Sequence, residues 1–268
     1  MGTKTIVVTR PVGQATQLIE AMRGQFQGAT TQILSLPLLT IAPKASKDLG
    51  DQILEALQDA DLAIFVSPNA IDCVMRLIGG GWQAISKAIV PIGVMGGSSH
   101  AALVDHGIGH EAAPTPIIFP RQNKQWDSEG LWAELQLLYP HWVGRKVVIF
   151  KGDGGRDWLA DTLKDAGASV QAISVYTRTP LDIESPAWAA IGDLDMAQSL
   201  WLLTSSEAVR YLGAAIKSHL HQDLGAATAL CPHINIAQAA KDVGFGRVLG
   251  CDPGDEALIA ASKKWLNN

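Results

Sequence analysis

At 268 residues, 47% of them hydrophobic, the chain exceeds one ordinary domain of ~100–150 residues and can fill two cores, which excludes a disordered protein. A formal charge of −5, from 26 acidic against 21 basic side chains, argues against a nucleic-acid surface, which would gather Lys and Arg on one face. The basic residues are instead scattered singly, as at Arg10, Arg76, Arg145 and Arg210.

Residues 5–9 (TIVVT) read as a buried strand by their β-branched run. A corner at Pro11 and Gly13 leads into a helical stretch with Leu18, Ile19 and Met22 on one face. Residues 33–41 (ILSLPLLTI) are extended, and Pro37, which cannot donate to a ladder, points to an edge or connecting strand. A strand over 62–66 (LAIFV) precedes a helix over 68–77 that has Pro68 at its first position. Then come a strand over 89–94, a helix over 98–106 with serine available as a cap, and a short strand over 117–119. A helix over 128–138 follows, capped by Asp127 or Ser128. Strands alternating with helices of about ten residues imply βαβ units and parallel sheets.

The second half repeats this order. A strand over 146–150 (KVVIF) leads into the Gly-rich corner at 152–155, a helix from Arg156 and a strand over 169–176. Strands over 200–204, 227–231 and 248–250 then alternate with helices from Ser206, over 235–243 and over 255–265. Lys146 follows Thr5 by 141 positions, Leu203 follows Phe65 by 138, and Thr228 follows Ile92 by 136. This spacing reads as a duplication of one flavodoxin-like α/β/α unit with a parallel five-stranded sheet. The stretches around Pro37 and 176–180 hold equivalent places, each long enough to pass between lobes. The expected arrangement is therefore interleaved: 1–36 with 180–268 as one lobe and 46–172 as the other. Residues 37–45 and 173–179 would form a two-stranded β connector, with the working site in the cleft between the lobes.

No standard catalytic signature is present, neither HExxH, GxSxG nor a P-loop. His106 and His110 stand four apart, but Gly107 and Gly109 between them disfavour the helix that would make that spacing a metal site, and His219 with His221 reads as a solvated turn. Cys73, Cys231 and Cys251 form no CxxC pair and read as small buried side chains of a reducing compartment. With no apolar run of ~20 residues and no leader of the secretory kind, the chain is expected to stay in the cytoplasm.

What recurs is the strand-to-helix corner. Arg10; Ser67, Pro68 and Asn69; Ser99; Gly152, Gly155 and Arg156; Thr204, Ser205 and Ser206; and Asn235 all fall at carboxyl ends of expected strands. In an open parallel sheet those ends form the ligand crevice. Each corner opens a helix N-terminus, whose free N–H groups and dipole favour anions. The same residue types also serve simply as caps. Ser128 opens one more such helix, and Tyr176, on the connector beside Arg178, could donate or relay a proton or merely pack.

Along nearly its whole length the chain resembles uroporphyrinogen-III synthase. The matching stretches are VTRP at 8–11, FVSPNA at 65–70, DSEGL at 127–131, GDGGR at 152–156, VYTR at 175–178, LTSSEA at 203–208, IAQAA at 236–240 and GDEAL at 254–258. Tyr176 matches the family's connector tyrosine, which the resemblance makes a candidate for assisting departure of a hydroxyl. Ser67 matches a corner serine, Ser99 stands where threonine is usual, and Thr204 and Ser206 match a hydroxyl corner. Val66, Lys151 and the pair Asn235 and Ile236 depart from the family's usual Thr, Arg and Thr.

The resemblance implies a lyase of tetrapyrrole synthesis without a cofactor. It would close hydroxymethylbilane, a linear polycarboxylate, into uroporphyrinogen III with loss of water and inversion of the last pyrrole ring. It also implies a monomer, for which a transient contact with hydroxymethylbilane synthase is the one macromolecular partner considered. The alternative on the residues alone is a non-catalytic two-lobed protein that binds a small anion.

Overall fold

The structure, a computed structural model, describes residues 3–26, 31–79, 81–82, 85, 89–109, 115–120, 126–220 and 222–267, apart from the side chains of 219 and 220. His110, the side chain of His219 and His221 lie outside this set, so the two histidine pairs do too.

The elements follow the hydrophobic pattern in chain order. They begin with β1 (Lys4–Val8), α1 (Val12–Gln25), β2 (Thr31–Ser35), β3 (Leu39–Pro43), α2 (Lys47–Gln58) and β4 (Leu62–Phe65). Next come α3 (Pro68–Ile78), β5 (Ile92–Val94), α4 (Gly97–Asp105), β6 (Ile117–Ile118), α5 (Ser128–Leu138) and β7 (Lys146–Gly152). After α6 (Trp158–Asp165) and the long β8 (Ser169–Pro180) come the short α7 (Ala189–Gly192), β9 (Ser199–Leu202) and α8 (Ser206–Ala215). The chain ends in β10 (Thr228–Cys231), α9 (Ile234–Asp242), β11 (Arg247–Gly250) and α10 (Asp255–Leu266).

The extended stretch 33–41 is two strands rather than one. Pro37 interrupts it, and β2 and β3 belong to different sheets. The strand expected from 89 starts only at Ile92, because Pro91 has no N–H to offer a ladder. The helix expected from Arg156 starts at Trp158, since Gly154 and Gly155 hold φ of +68° and +88°, outside helical space. Two α-helices have no counterpart in the sequence reading: α2, and α7, into which the turn Pro186–Trp188 runs.

The chain divides into two compact units, Met1–Thr40 with Thr179–Asn268, and Ile41–Arg178. In the first, β11-β10-β9-β1-β2 form one sheet, every pair parallel. In the second, the order is β3-β8-β7-β4-β5-β6, with β8 through β6 parallel. The sixth strand, β3, is the connector segment itself. Lys44 N–H donates to Val175 O at 3.0 Å and Leu181 N–H to Leu38 O at 2.9 Å, so the two crossing segments run antiparallel.

Within each unit, alternate side chains of the sheet feed two cores. In the first, Ile6, Val8, Leu200 and Leu202 pack with Leu18, Met22 and Leu258 of α1 and α10. The opposite face sets Val7, Trp201 and Ala229 against Val209, Leu212 and Ala239 of α8 and α9. In the second, Phe65, Val94, Phe150 and Val175 meet Ile53, Val74 and Leu103 of α2, α3 and α4. Ile64, Val147 and Ile149 meet Leu131, Leu135 and Leu163 of α5 and α6. Each unit is thus an α/β/α sandwich around a parallel sheet.

Candidate active site

Because all strands but β3 run parallel within their sheets, their strand-to-helix corners lie at one edge of each sheet, the carboxyl edge. The strand order reverses between β1 and β9 in the first unit and between β7 and β4 in the second. Such a reversal opens the crevice in which α/β sheets take ligands. The residues at these two points are Arg10 with Thr204, Ser205 and Ser206, and Gly152, Gly155 and Arg156 with Ser67, Pro68 and Asn69.

Half of the eight helices opening at the two carboxyl edges carry a side-chain cap. Ser67 Oγ accepts from Ala70 N–H at 3.3 Å and Ser205 Oγ from Ala208 N–H at 3.3 Å, two caps 138 positions apart that restate the duplication. Asp127, not Ser128, caps α5, through a 2.9 Å bond from Gly130 N–H. His233 caps α9 by accepting from Asn235 N–H at 3.2 Å on Nδ1. The N-termini of α1, α4, α6 and α10 have no side-chain cap bond. Their first N–H groups, with the helix dipole behind them, are the better anion receptors.

Three predicted site residues come together in the second unit. Tyr176, on β8, is 1% exposed and its ring lies over Gly152, where a Cβ would approach to 2.4 Å. Its hydroxyl lies 3.0 Å from Ser67 Oγ and accepts from Arg178 Nη2 at 3.1 Å, with the guanidinium 5.4 Å from the ring centre. Tyr176 O also takes Asp153 N–H at 2.9 Å, which ties the Gly-rich corner to β8. The exposed Asp153 accepts from Lys44 Nζ at 2.6 Å and from Ser174 Oγ. These bonds hold its carboxyl below the usual range, the Lys44 bond first.

The two crevice arginines are each met by an acid from a helix N-terminus. Arg10 Nη1 lies 2.6 Å from Asp255 Oδ1 at the start of α10. Arg156 pairs with Glu129 in the first turn of α5. The strands β1 and β11 stand in the first sheet where β7 and β6 stand in the second, so these pairs are equivalent. Lys151, where arginine was expected by family pattern, pairs with Asp157 and lowers its carboxyl by that bond and its charge.

The remaining candidates are separate. Ser99, in the first turn of α4, is only 4% exposed and faces the interior, so its corner offers a ligand backbone rather than a hydroxyl. Ser128 is half-buried with its Oγ 3.6 Å from Met95 Sδ. Asn235 is exposed on α9, while Thr204 and Ser206 are half-buried beside the Ser205 cap. Sequence reasoning placed Arg178 beside Tyr176 but did not count Arg178, Asp255 and Glu129 among the site residues. All three sit in quoted stretches, VYTR, GDEAL and DSEGL, but only pairing distances reveal their role.

Among the described residues, no group of three or more His, Cys, Asp or Glu could hold a metal ion. Burial pushes the thiols of Cys231 and Cys251 up to about 12 and about 11, which leaves them unreactive.

A family model described as uroporphyrinogen-III synthase HemD matches residues 20–260. A uroporphyrinogen-III synthase of Synechococcus elongatus is 26% identical over 226 residues, 83% of this chain and 78% of that protein. One of Escherichia coli K12 is 24% identical over 267 residues, 96% of this chain and 99% of that protein. Among solved structures, a mutant uroporphyrinogen III synthase of Thermus thermophilus superposes with a TM-score of 0.62 at 14% identity, covering 98% of each chain. The Helicobacter pylori enzyme gives 0.58 at 14% identity, over 98% of this chain and 99% of that one. At that identity the structural likeness speaks to the fold.

Proposed function

The chain belongs to the uroporphyrinogen-III synthase family, and from that premise we propose how its residues carry out the family's reaction. The reaction closes hydroxymethylbilane into uroporphyrinogen III, with loss of water and inversion of ring D. The family match along residues 20–260 is the observation that carries the activity. The structure adds a site chemistry in keeping with it, since the substrate is a polycarboxylate and the carboxyl edges are rich in anion receptors.

Carboxylates are taken by backbone N–H groups at the uncapped starts of α1, α4, α6 and α10, and by the exposed side-chain amide of Asn235. Arg10 and Arg156 add donors, because a guanidinium held by one acid keeps further N–H groups for a second. Ser67, Pro68 and Asn69, Gly152 and Gly155, Ser128, and Thr204, Ser205 and Ser206 let the chain approach closely. Carboxylates held at several corners curl the bilane so that its ends lie near each other. The hydroxyl then leaves with help from Tyr176, giving an azafulvene cation. Attack at the substituted carbon of the terminal ring forms a spiro intermediate that fragments and recloses inverted. Orientation and fixed dipoles supply most of the acceleration.

The protein acts as a monomer in the cytoplasm and meets hydroxymethylbilane synthase only transiently. In keeping with that location, no described helix is long and apolar enough to cross a membrane. The test is to supply hydroxymethylbilane made in situ and resolve the oxidised products by chromatography. Isomer III in excess is the expected result; isomer I alone, the product of spontaneous closure, would remove the activity.

A further inference from the structure

We propose that Ser67 is the group that hands the proton to the departing hydroxyl, with Tyr176 behind it and Arg178 behind Tyr176. This rests on the activity proposed above. Directions follow from what each atom can do. Arg178 carries only donors, so in its 3.1 Å bond the phenol oxygen accepts. The phenol hydrogen then points to the other polar atom in reach, Ser67 Oγ at 3.0 Å. Ser67 Oγ also accepts from Ala70 N–H at 3.3 Å, so both its lone pairs are engaged and its own hydrogen is left to donate outward. Tyr176 is 1% exposed under Gly152, whereas Ser67 is half-buried at the carboxyl edge. An enclosed phenol reaches a bilane through the hydroxyl in front of it.

The duplication supplies an internal comparison. The first unit keeps the cap, at Ser205, with the same bond at 3.3 Å. Behind it the chain leaves β2 through Leu36, Pro37 and Leu38, which bring no phenol or guanidinium. A serine cap needs no tyrosine, so the tyrosine behind Ser67 answers a need other than capping.

In the step itself, the substrate C–O bond breaks and its electron pair stays on oxygen. That oxygen takes the Ser67 proton and departs as water, leaving the azafulvene cation. Tyr176 replaces the Ser67 proton and becomes a phenolate against the Arg178 guanidinium. The proton returns from the free α-carbon of the terminal pyrrole when closure restores that ring's aromaticity, so no other reactant is needed.

The experiment is a double-mutant cycle in kcat, read as isomer III formed. Ser67→Ala and Tyr176→Phe should each lose at least tenfold, the double variant should be no slower than the worse single, and Ser67→Thr should stay within threefold of wild type. Ser46→Ala removes a serine cap of the same kind, on α2, where Ser46 Oγ accepts from Leu49 N–H at 3.0 Å. It should lower the thermal midpoint while leaving kcat unchanged, which separates capping from chemistry. If Ser67→Ala does not fold, Ser67→Gly replaces it, since glycine is tolerated at the cap position. Wild-type protein that forms only isomer I overturns the activity and the relay together. An active wild type with Ser67→Ala within twofold, or a double variant whose loss is the product of the singles, overturns the relay alone.

Discussion

A Cβ on Gly152 would lie 2.4 Å from the Tyr176 ring, a separation side chains do not tolerate. Gly152→Ala must therefore push the ring off Ser67, at a cost of about 1–3 kcal/mol for overpacking. Chemical denaturation should show that loss, and kcat should fall more than KM changes; unchanged kcat would mean the phenol's position does not matter. Tyr176→Phe keeps the ring and should lose at least tenfold in turnover with its fold intact, whereas near-wild-type turnover would take the phenol out of the reaction. At this scale the sequence was only partly readable. Tyr176 and Ser67 could be singled out, since unusual polar residues on strand ends stand out from their neighbours. That they share a hydrogen bond could not, because 109 positions separate them and strand order alone brings them together. Ser99, three residues into α4, is buried, which its position in the sequence does not tell.

Among the elements, the strands were legible from β-branched runs, and α3 from Pro68 at its first position. The signal of α2, with Leu49, Ile53 and Leu57 at four-residue spacing behind the Ser46 cap, is present in the sequence but goes unread. The turns are set by contacts that no local pattern carries. A Cβ on Gly246, just before β11, would fall 1.8 Å from Gly225 O, a backbone atom that cannot step aside. Gly246→Ala should cost at least about 3 kcal/mol, the range of severe strain, measured by urea denaturation; a stable variant would show that β11 can shift. The β3, β7 and β8 edge carries a pH dependence. Lys44 and Ser174 hold the Asp153 carboxyl below its unfolded value of ~3.9, so the folded state binds fewer protons in that interval. The stabilisation is fully present above about pH 4 and is lost as the pH falls further through the folded value. Asp153→Asn should therefore flatten the fall in stability below about pH 4 in denaturation curves, and parallel curves would contradict this.

Across the whole molecule, the duplication is stricter in space than in chain order. The first sheet takes its strands from both ends of the chain and the second from the middle, yet β11-β10-β9-β1-β2 and β6-β5-β4-β7-β8 superimpose as one order. The second unit is a circular permutation of the first, while the drift of element separations between 141 and 136 positions reflects unequal loop lengths in the two halves. The repeat was legible because its period exceeds any single element; β3 joining the second sheet was not, because a connector and an edge strand share one pattern. Duplication doubles the switch point, the serine cap and the arginine–acid pair, while the phenol occurs in one unit only. On the relay proposed above one unit carries the proton chemistry, while each unit offers anion-receiving corners at its own carboxyl edge. Amide hydrogen exchange with and without the product uroporphyrinogen III tests this most directly. Added protection is predicted at residues 10–13 and 204–208 of the first unit together with 67–70 and 152–156 of the second; protection confined to one unit would contradict it.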